Sequence, residues 1–274
     1  NYLLSRFEKY TLKTKPGGFS NYAEIPDEEA AFIARTDGNR SYPWRLLVIS
    51  DKDATFADCD LVYQLARPNV IGDTGWIKPG KVAWDWWHDY IVEGADFKGG
   101  VNTKTYFYQI DFAAKYKLDY IMVDWLWTDK YDLSLFNPEV NIKEIISYAS
   151  QKGVKVILWC PGHSLYKQLN KSLELFSSLG AAGIKVDFFG REDQTGIRMY
   201  EEIAAAAARK KLLVDFHGCA KPTGLSRTYP NVINYEAVAG NEWNKLADKC
   251  TVNHKAMLPF TRGLQGPMDF TPGG

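Results

Sequence analysis

From Lys81 onward, short β-branched or aromatic runs alternate with amphipathic segments, and no other feature of the sequence narrows the fold as far. Alternation of this kind marks βα units wound around a parallel sheet. The strand-like runs are Val82–Trp87, Tyr120–Trp125, Val154–Trp159, Gly183–Phe189, Leu212–His217 and Val232–Glu236, with Ala256–Phe260 and Met268–Phe270 as candidates for a seventh and an eighth. Between them the periodicity predicts helices over Thr103–Tyr116, Ile142–Lys152, Leu165–Leu179 and Asp193–Lys211, with Gly153 and Gly180 placed where helices stop. Nearly eight repeats imply an α/β fold of the (β/α)8 TIM-barrel type over residues 76–274. Residues 1–75 lack this rhythm: Thr11–Lys13, Ala30–Ile33 and Tyr42–Ile49 are short strand-like runs set among Pro, Gly and charged residues. They read as the tail of a β-rich domain and its linker.

Barrel enzymes carry their chemistry at the C-terminal ends of the strands. At those ends this sequence places Asp85 with Trp86 and Trp87, Asp124 with Trp125, Trp159 with Cys160 and His163, Lys185 with Asp187, then His217, Glu236 and Glu242. A set so uniformly acidic and aromatic favours a carbohydrate site, where carboxylates accept from hydroxyls and indoles cover the apolar face of a ring. Lys185 and Asp187 are two apart on one strand and share a face. They are either a sugar clamp beside a nucleophile or a salt-bridged pair, with Arg191 as another partner for Asp187.

Glycoside hydrolysis needs two carboxyl groups about the scissile bond, and Asp187 and Glu242 are the pair that can face one another across the mouth. Glu236 and Glu242 can be turned toward one point by the loop through Gly240. Like charges so placed need a proton or a cation between them, and Ca2+, a hard ion that prefers oxygen ligands, meets that need. The plainer reading has Glu236 capping a strand. His217 is either a satisfied hydrogen-bonding histidine or a contact to a sugar hydroxyl. Asp124 can accept from hydroxyls, and Trp125 is either a stacking face or core.

Other function classes are excluded or unsupported. Lys plus Arg and Asp plus Glu both number 33, so no net charge draws the chain to nucleic acid or an anionic membrane. No apolar run approaches the roughly 20 residues of a membrane span. The histidines and the four cysteines lack zinc spacing, and there is neither a phosphate-binding glycine motif nor a serine nucleophile elbow. The chain does not begin with Met and stops at Thr271-Pro272-Gly273-Gly274, so an excerpt or a processed product is expected and a missing targeting segment says nothing of compartment.

Five stretches together resemble glycoside hydrolase family 97: Lys81 to Trp87, Gly183 to Phe188, Lys221 to Gly224, Arg227 to Asn231 and Gly266 to Gly273. The resemblance covers about Gly75 to Gly274. It implies a calcium-dependent, exo-acting α-glycosidase whose barrel is coupled to an N-terminal β-sandwich and a small C-terminal β domain. Residues 1–75 are then the end of that sandwich, and the C-terminal domain lies outside the chain. Inverting α-glucosidases of this family carry a general-base Glu directly after the strand-five His, where this sequence has Gly218. Retaining α-galactosidases use an Asp nucleophile at the end of strand four, which matches Asp187. Both use a Glu after strand six as the acid, matching Glu242, and the preceding Glu, matching Glu236, is a calcium ligand. The acid itself can contact the metal, and a further ligand lies in the sandwich domain.

The resemblance thus implies a retaining exo-α-galactosidase acting on terminal α-galactosides by double displacement. Lys185, Asp124, Trp125 and His217 hold the sugar, Glu236 and Glu242 hold Ca2+, and the location is the bacterial periplasm. Readings that stay open are an α-glucosidase of the same family and a barrel that binds sugar without cleaving it.

Overall fold

The computed structural model of the chain describes residues 7–247 and 250–272. Two strands, β1 (Thr11–Gly17) and β2 (Ala23–Glu29), form an antiparallel hairpin. Six more, β3 (Val82–Trp84), β4 (Tyr120–Val123), β5 (Lys155–Pro161), β6 (Gly183–Asp187), β7 (Leu213–Phe216) and β8 (Val232–Tyr235), form one parallel sheet in sequence order. Each crossover carries helix, as parallel neighbours require.

The helices form where the sequence provides a start, a stop and one apolar face. Asn102 caps Thr103–Tyr116 by accepting from Thr105 N at 3.0 Å, and Asn141 does the same for Ile142–Gln151 through Glu144 N. In the latter, Ile142, Ile145, Ile146 and Ala149 are buried at helical spacing. Gly180, at φ 91°, ends Leu169–Leu179, and Asp193 caps Gln194–Arg209. The Leu165–Leu179 helix is in fact two, Gly162–Lys167 and Leu169–Leu179, broken at Gln168.

Alternation along the strands separates two environments. Ala83, Ile121, Leu158, Ile184, Val186 and Phe216 face outward into the helices and form the main core. Inside the curve lies a smaller apolar layer of Tyr120, Met122, Ile157 and Leu213, with Trp84 packed on it. Above that layer the inward positions become polar. The sheet is curled: β3 and β7 are four strand intervals apart, about 19 Å if flat, yet the rings of Trp84 and His217 lie 6.2 Å apart.

Three expectations are corrected. The seventh and eighth strands do not form: Ala256–Phe260 falls in the helix Val252–Met257 and the 3-10 turn Leu258–Phe260, and Met268–Phe270 is irregular. Thr251 caps that helix, and Arg262 donates to the carbonyls of Tyr235, Glu236 and Ala237 at 3.2 to 3.3 Å, so the end of β8 is met by a guanidinium instead of a strand. Among the described residues the sheet therefore has six strands, a curled half-barrel. Tyr42–Ile49 is not a strand either: it has the composition but no partner, and Tyr42, Trp44 and Ile49 are exposed. Ala30–Ile33 likewise lies past the end of β2, whereas Thr11–Lys13 does open β1.

The hairpin is docked on the mouth side of the sheet. Thr11 N donates to Asp193 Oδ2 at 3.1 Å, and Lys167 pairs with Glu24 at 2.5 Å. A side chain at Gly190 would meet Ala23 Cβ at 2.7 Å and Glu24 O at 2.9 Å, so the close approach needs glycine there.

Candidate active site

The inward polar residues and the loops above them line a cavity of 590 Å³ at the C-terminal end of the sheet. Asp124, Trp125, Lys185, Asp187, His217, Glu236 and Glu242, the seven residues singled out from the sequence, all line it. They arrive from β4, β6, β7 and β8 and the 3-10 turn Asn241–Lys245.

Lys185 does not pair with Asp187. Its Nζ lies 2.9 Å from Asp124 Oδ2, two strands away, and 4.0 Å from the Trp84 ring centroid. Both partners are buried, at 2% and 3% exposure. Burial alone pushes the ammonium's pKa down, but the charges of Asp124, Asp187 and Glu242 reverse this and raise it, so the lysine stays cationic. Trp84 Nε1 donates to the same Asp124 oxygen at 2.6 Å. Arg191, the other expected partner of Asp187, is engaged with Asp193 at 2.6 Å.

Asp187 is thus held by neutral donors. Trp159 Nε1 donates to Oδ2 at 3.1 Å and the backbone N–H of Phe188 to Oδ1 at 2.7 Å. Phe188 itself has a φ of 58°, so the strand turns sharply just after the carboxylate. Two N–H groups thus fix the orientation of the Asp187 carboxyl at the end of β6.

Gly218 lies against it. Its φ is +47°, and a Cβ there would fall 2.6 Å from Asp187 Oδ1 and 2.8 Å from Phe188 N. Its N–H donates to Glu236 Oε2 at 2.8 Å. Position 218 is therefore committed to glycine by the space that Asp187 fills.

His217 sits among three acids. Its Nε2 is 2.7 Å from Asp269 Oδ2 and 3.6 Å from Asp215 Oδ2, and its Nδ1 is 3.6 Å from Glu236 Oε2. Burial and Lys185 lower its pKa, but Asp215, Glu236 and Asp269 outweigh them and raise it to about 10. Asp269 is correspondingly held low by the imidazolium, against its own burial. Burial, followed by the Asp187 charge, raises Glu236, with His217 opposing.

Glu242 Oε1 accepts from Trp86 Nε1 at 2.6 Å, and Lys245 Nζ lies 4.1 Å from the Trp86 ring centroid. One ligand atom from each of His217, Glu236 and Glu242 falls within 4.8 Å of the others, and Asp215, His217 and Asp269 form a second such group.

The sequence reading named Trp86, Trp159 and the motif containing Asp269, but not these roles. It missed Phe19 and Tyr22 altogether. Phe19 lines the cavity, and Tyr22 Oη accepts from Trp125 Nε1. The turn composition of Gly17-Gly18-Phe19-Ser20-Asn21 signals a hairpin tip, but nothing in it says where the tip docks.

Comparison with known proteins identifies the relatives of the chain. The family model Glycoside hydrolase 97 matches residues 86–238. The chain is 39% identical over 277 residues to a protein of Bacteroides thetaiotaomicron named retaining alpha-galactosidase, a match that takes in 100% of this chain and 42% of that one. It is 36% identical to a probable retaining alpha-galactosidase of Streptomyces bingchenggensis, over 87% of this chain and 37% of that one. The chain thus spans less than half the length of these relatives. Among solved structures it superposes on a glycoside hydrolase family 97 enzyme from Pseudoalteromonas sp. strain K8 in complex with acarbose, with a TM-score of 0.73 and 29% identity over 82% of this chain and 39% of that one. The chain belongs to glycoside hydrolase family 97.

Proposed function

We propose that the chain carries the catalytic site of a retaining, exo-acting α-galactosidase built on a (β/α)8-type barrel. The carrying observation is the fit of Asp187 Oδ1 against Gly218: the space for a general base at 218 is taken by the carboxylate that attacks. Two curated relatives named as retaining or probable retaining alpha-galactosidases support the same reading.

In this mechanism Asp187 attacks the anomeric carbon from the floor of the cavity while Glu242 protonates the leaving oxygen. Because Trp86 Nε1 donates to Glu242 Oε1, the proton for the leaving group rides on Oε2. The bond from C1 to the aglycone oxygen breaks as the bond to Asp187 forms, giving a β-linked glycosyl-enzyme. Glu242 then takes a proton from water, which attacks C1 and returns Asp187 as carboxylate. Two inversions leave α-galactose. Lys185 and Asp124, joined in a 2.9 Å ion pair, offer a donor and an acceptor to vicinal hydroxyls.

Glu236 and Glu242 fit a hard cation through their oxygens, and their convergence on one point supports Ca2+ there. The His217 nitrogen in that group suits calcium poorly, so further oxygens come from elsewhere. When bound, the ion supplies positive charge for sugar hydroxyls and for the paired acids.

Azide rescue tests the nucleophile. Asp187→Gly in the full-length protein abolishes turnover of p-nitrophenyl α-galactoside, and added azide yields β-galactosyl azide; failure to form an adduct counts against Asp187. Chelation by EDTA lowers activity, and calcium restores it; undiminished activity after exhaustive chelation removes the metal role.

A further inference from the structure

The hairpin tip is a strained piece of backbone. Gly18, Ser20 and Asn21 all have positive φ, at 69°, 49° and 58°, a region disfavoured for the two non-glycine residues. Tyr22 anchors the turn: its hydroxyl accepts from Trp125 Nε1, and its ring stacks on Phe188 at 5.7 Å and meets Trp159 edge-on at 5.4 Å. The result is to hold Phe19 over the mouth with 48% of its surface exposed. Its ring stacks on Phe188 with an interplanar angle of 17° and a centroid distance of 6.1 Å, and meets Trp125 at 5.8 Å.

The cavity therefore has two zones. At the floor, Asp124, Lys185, Trp159 and Asp187 are buried and polar groups converge. At the rim on the hairpin side, Phe19 and Trp125 present rings and no charge. A glycone held beside Asp187 points its leaving group outward, because the buried layer of Tyr120, Met122, Ile157 and Leu213 lies beneath. The rim is then where the leaving group rests.

We infer that Phe19, held by the strained tip and backed by Phe188 and Trp125, is a stacking platform for the leaving group and favours flat or cyclic aglycones, aryl groups and pyranose rings, over small alkyl ones. The inference rests on the glycosidase reading above but not on which glycone is cleaved. It assigns a specificity role to a segment far before Asp187 in the chain.

The test compares wild-type full-length protein with Phe19→Ala and Phe19→Trp on p-nitrophenyl, disaccharide and methyl glycosides of whichever sugar the wild type cleaves. The platform predicts that Phe19→Ala lowers kcat/KM about threefold to tenfold for the aryl and disaccharide substrates. The methyl glycoside and inhibition by the free sugar change much less, and Phe19→Trp restores the preference. Equal losses on all substrates, or no loss on any, overturn the platform. A wild type that cleaves no galactoside, while an aryl preference on another sugar is lost in Phe19→Ala, overturns the galactosidase reading and leaves the platform standing.

Discussion

The two faces of the same six strands have opposite chemistry. Outward, Leu158, Ile184 and Val186 are fully buried among helices, and any well-packed apolar residues of similar volume would serve. Inward, Trp159, Lys185 and Asp187 on the same two strands are nearly as buried, yet two of the three carry charge. The outer face gains from leaving water. On the inner face, burial is a cost offset by specific pairing: Lys185 with Asp124, His217 with Asp269. The difference teaches that burial in this fold has two uses, one for stability and one for holding charges where a substrate will meet them.

Substitutions on the two faces separate those uses. On the inner face, Asp187→Asn keeps shape and removes the carboxylate proposed to attack. Turnover of p-nitrophenyl α-galactoside falls by about 10⁴-fold or more, while the melting temperature by circular dichroism holds or rises; parallel losses of fold and activity would break the distinction. On the outer face, Leu158→Ala opens a cavity against the helices and lowers unfolding free energy in urea by about 2–5 kcal/mol, with kcat per folded molecule little changed. Gly218→Ala lies between the two. Its methyl group meets Asp187 Oδ1 at a positive φ, so both terms move: about 10²-fold in kcat from a displaced nucleophile and about 1–2 kcal/mol in stability. Trp86→Phe has the smallest effect. Loss of the N–H to Glu242 Oε1 lowers kcat about tenfold, the equivalent of one charge-assisted hydrogen bond, and more for poor leaving groups than for good ones. A leaving-group series with no such slope would remove Trp86 from the support of the acid.

The outer face was the more legible in the sequence. Its strands and helices carry local signals, Gly180 as a stop and β-branched runs at Ile184 and Val186, and the structure adds Asn102, Asn141 and Asp193 as caps. The six strands were read within a few residues of their bounds; Val82–Trp87 runs past its strand to where Asp85 caps a 3-10 turn, Gly183–Phe189 to where Phe188 turns to positive φ, and Tyr120–Trp125 past Val123. Asp124, Lys185, Asp187, His217 and Glu236 could be named because each stands at or just past a strand end. Their partners could not. That Lys185 binds Asp124 and not Asp187 depends on the curl of the sheet, which brings positions 61 residues apart within hydrogen-bonding distance. Ala256–Phe260 and Tyr42–Ile49 failed for a related reason: strand propensity alone does not supply a partner edge. Phe19 and Tyr22 were illegible because docking of a hairpin more than 100 residues from Trp125 is a tertiary fact.

The central claim, that Asp187 attacks and so the anomeric configuration is kept, is most directly tested by the stereochemistry of the first-formed sugar. Proton NMR of p-nitrophenyl α-galactoside hydrolysis by the full-length protein, followed before mutarotation, separates the two anomers. The account predicts α-galactose as the initial product, with the β anomer growing in later. Initial β-galactose would mean a single inversion by water, and would contradict the assignment of Asp187 as nucleophile.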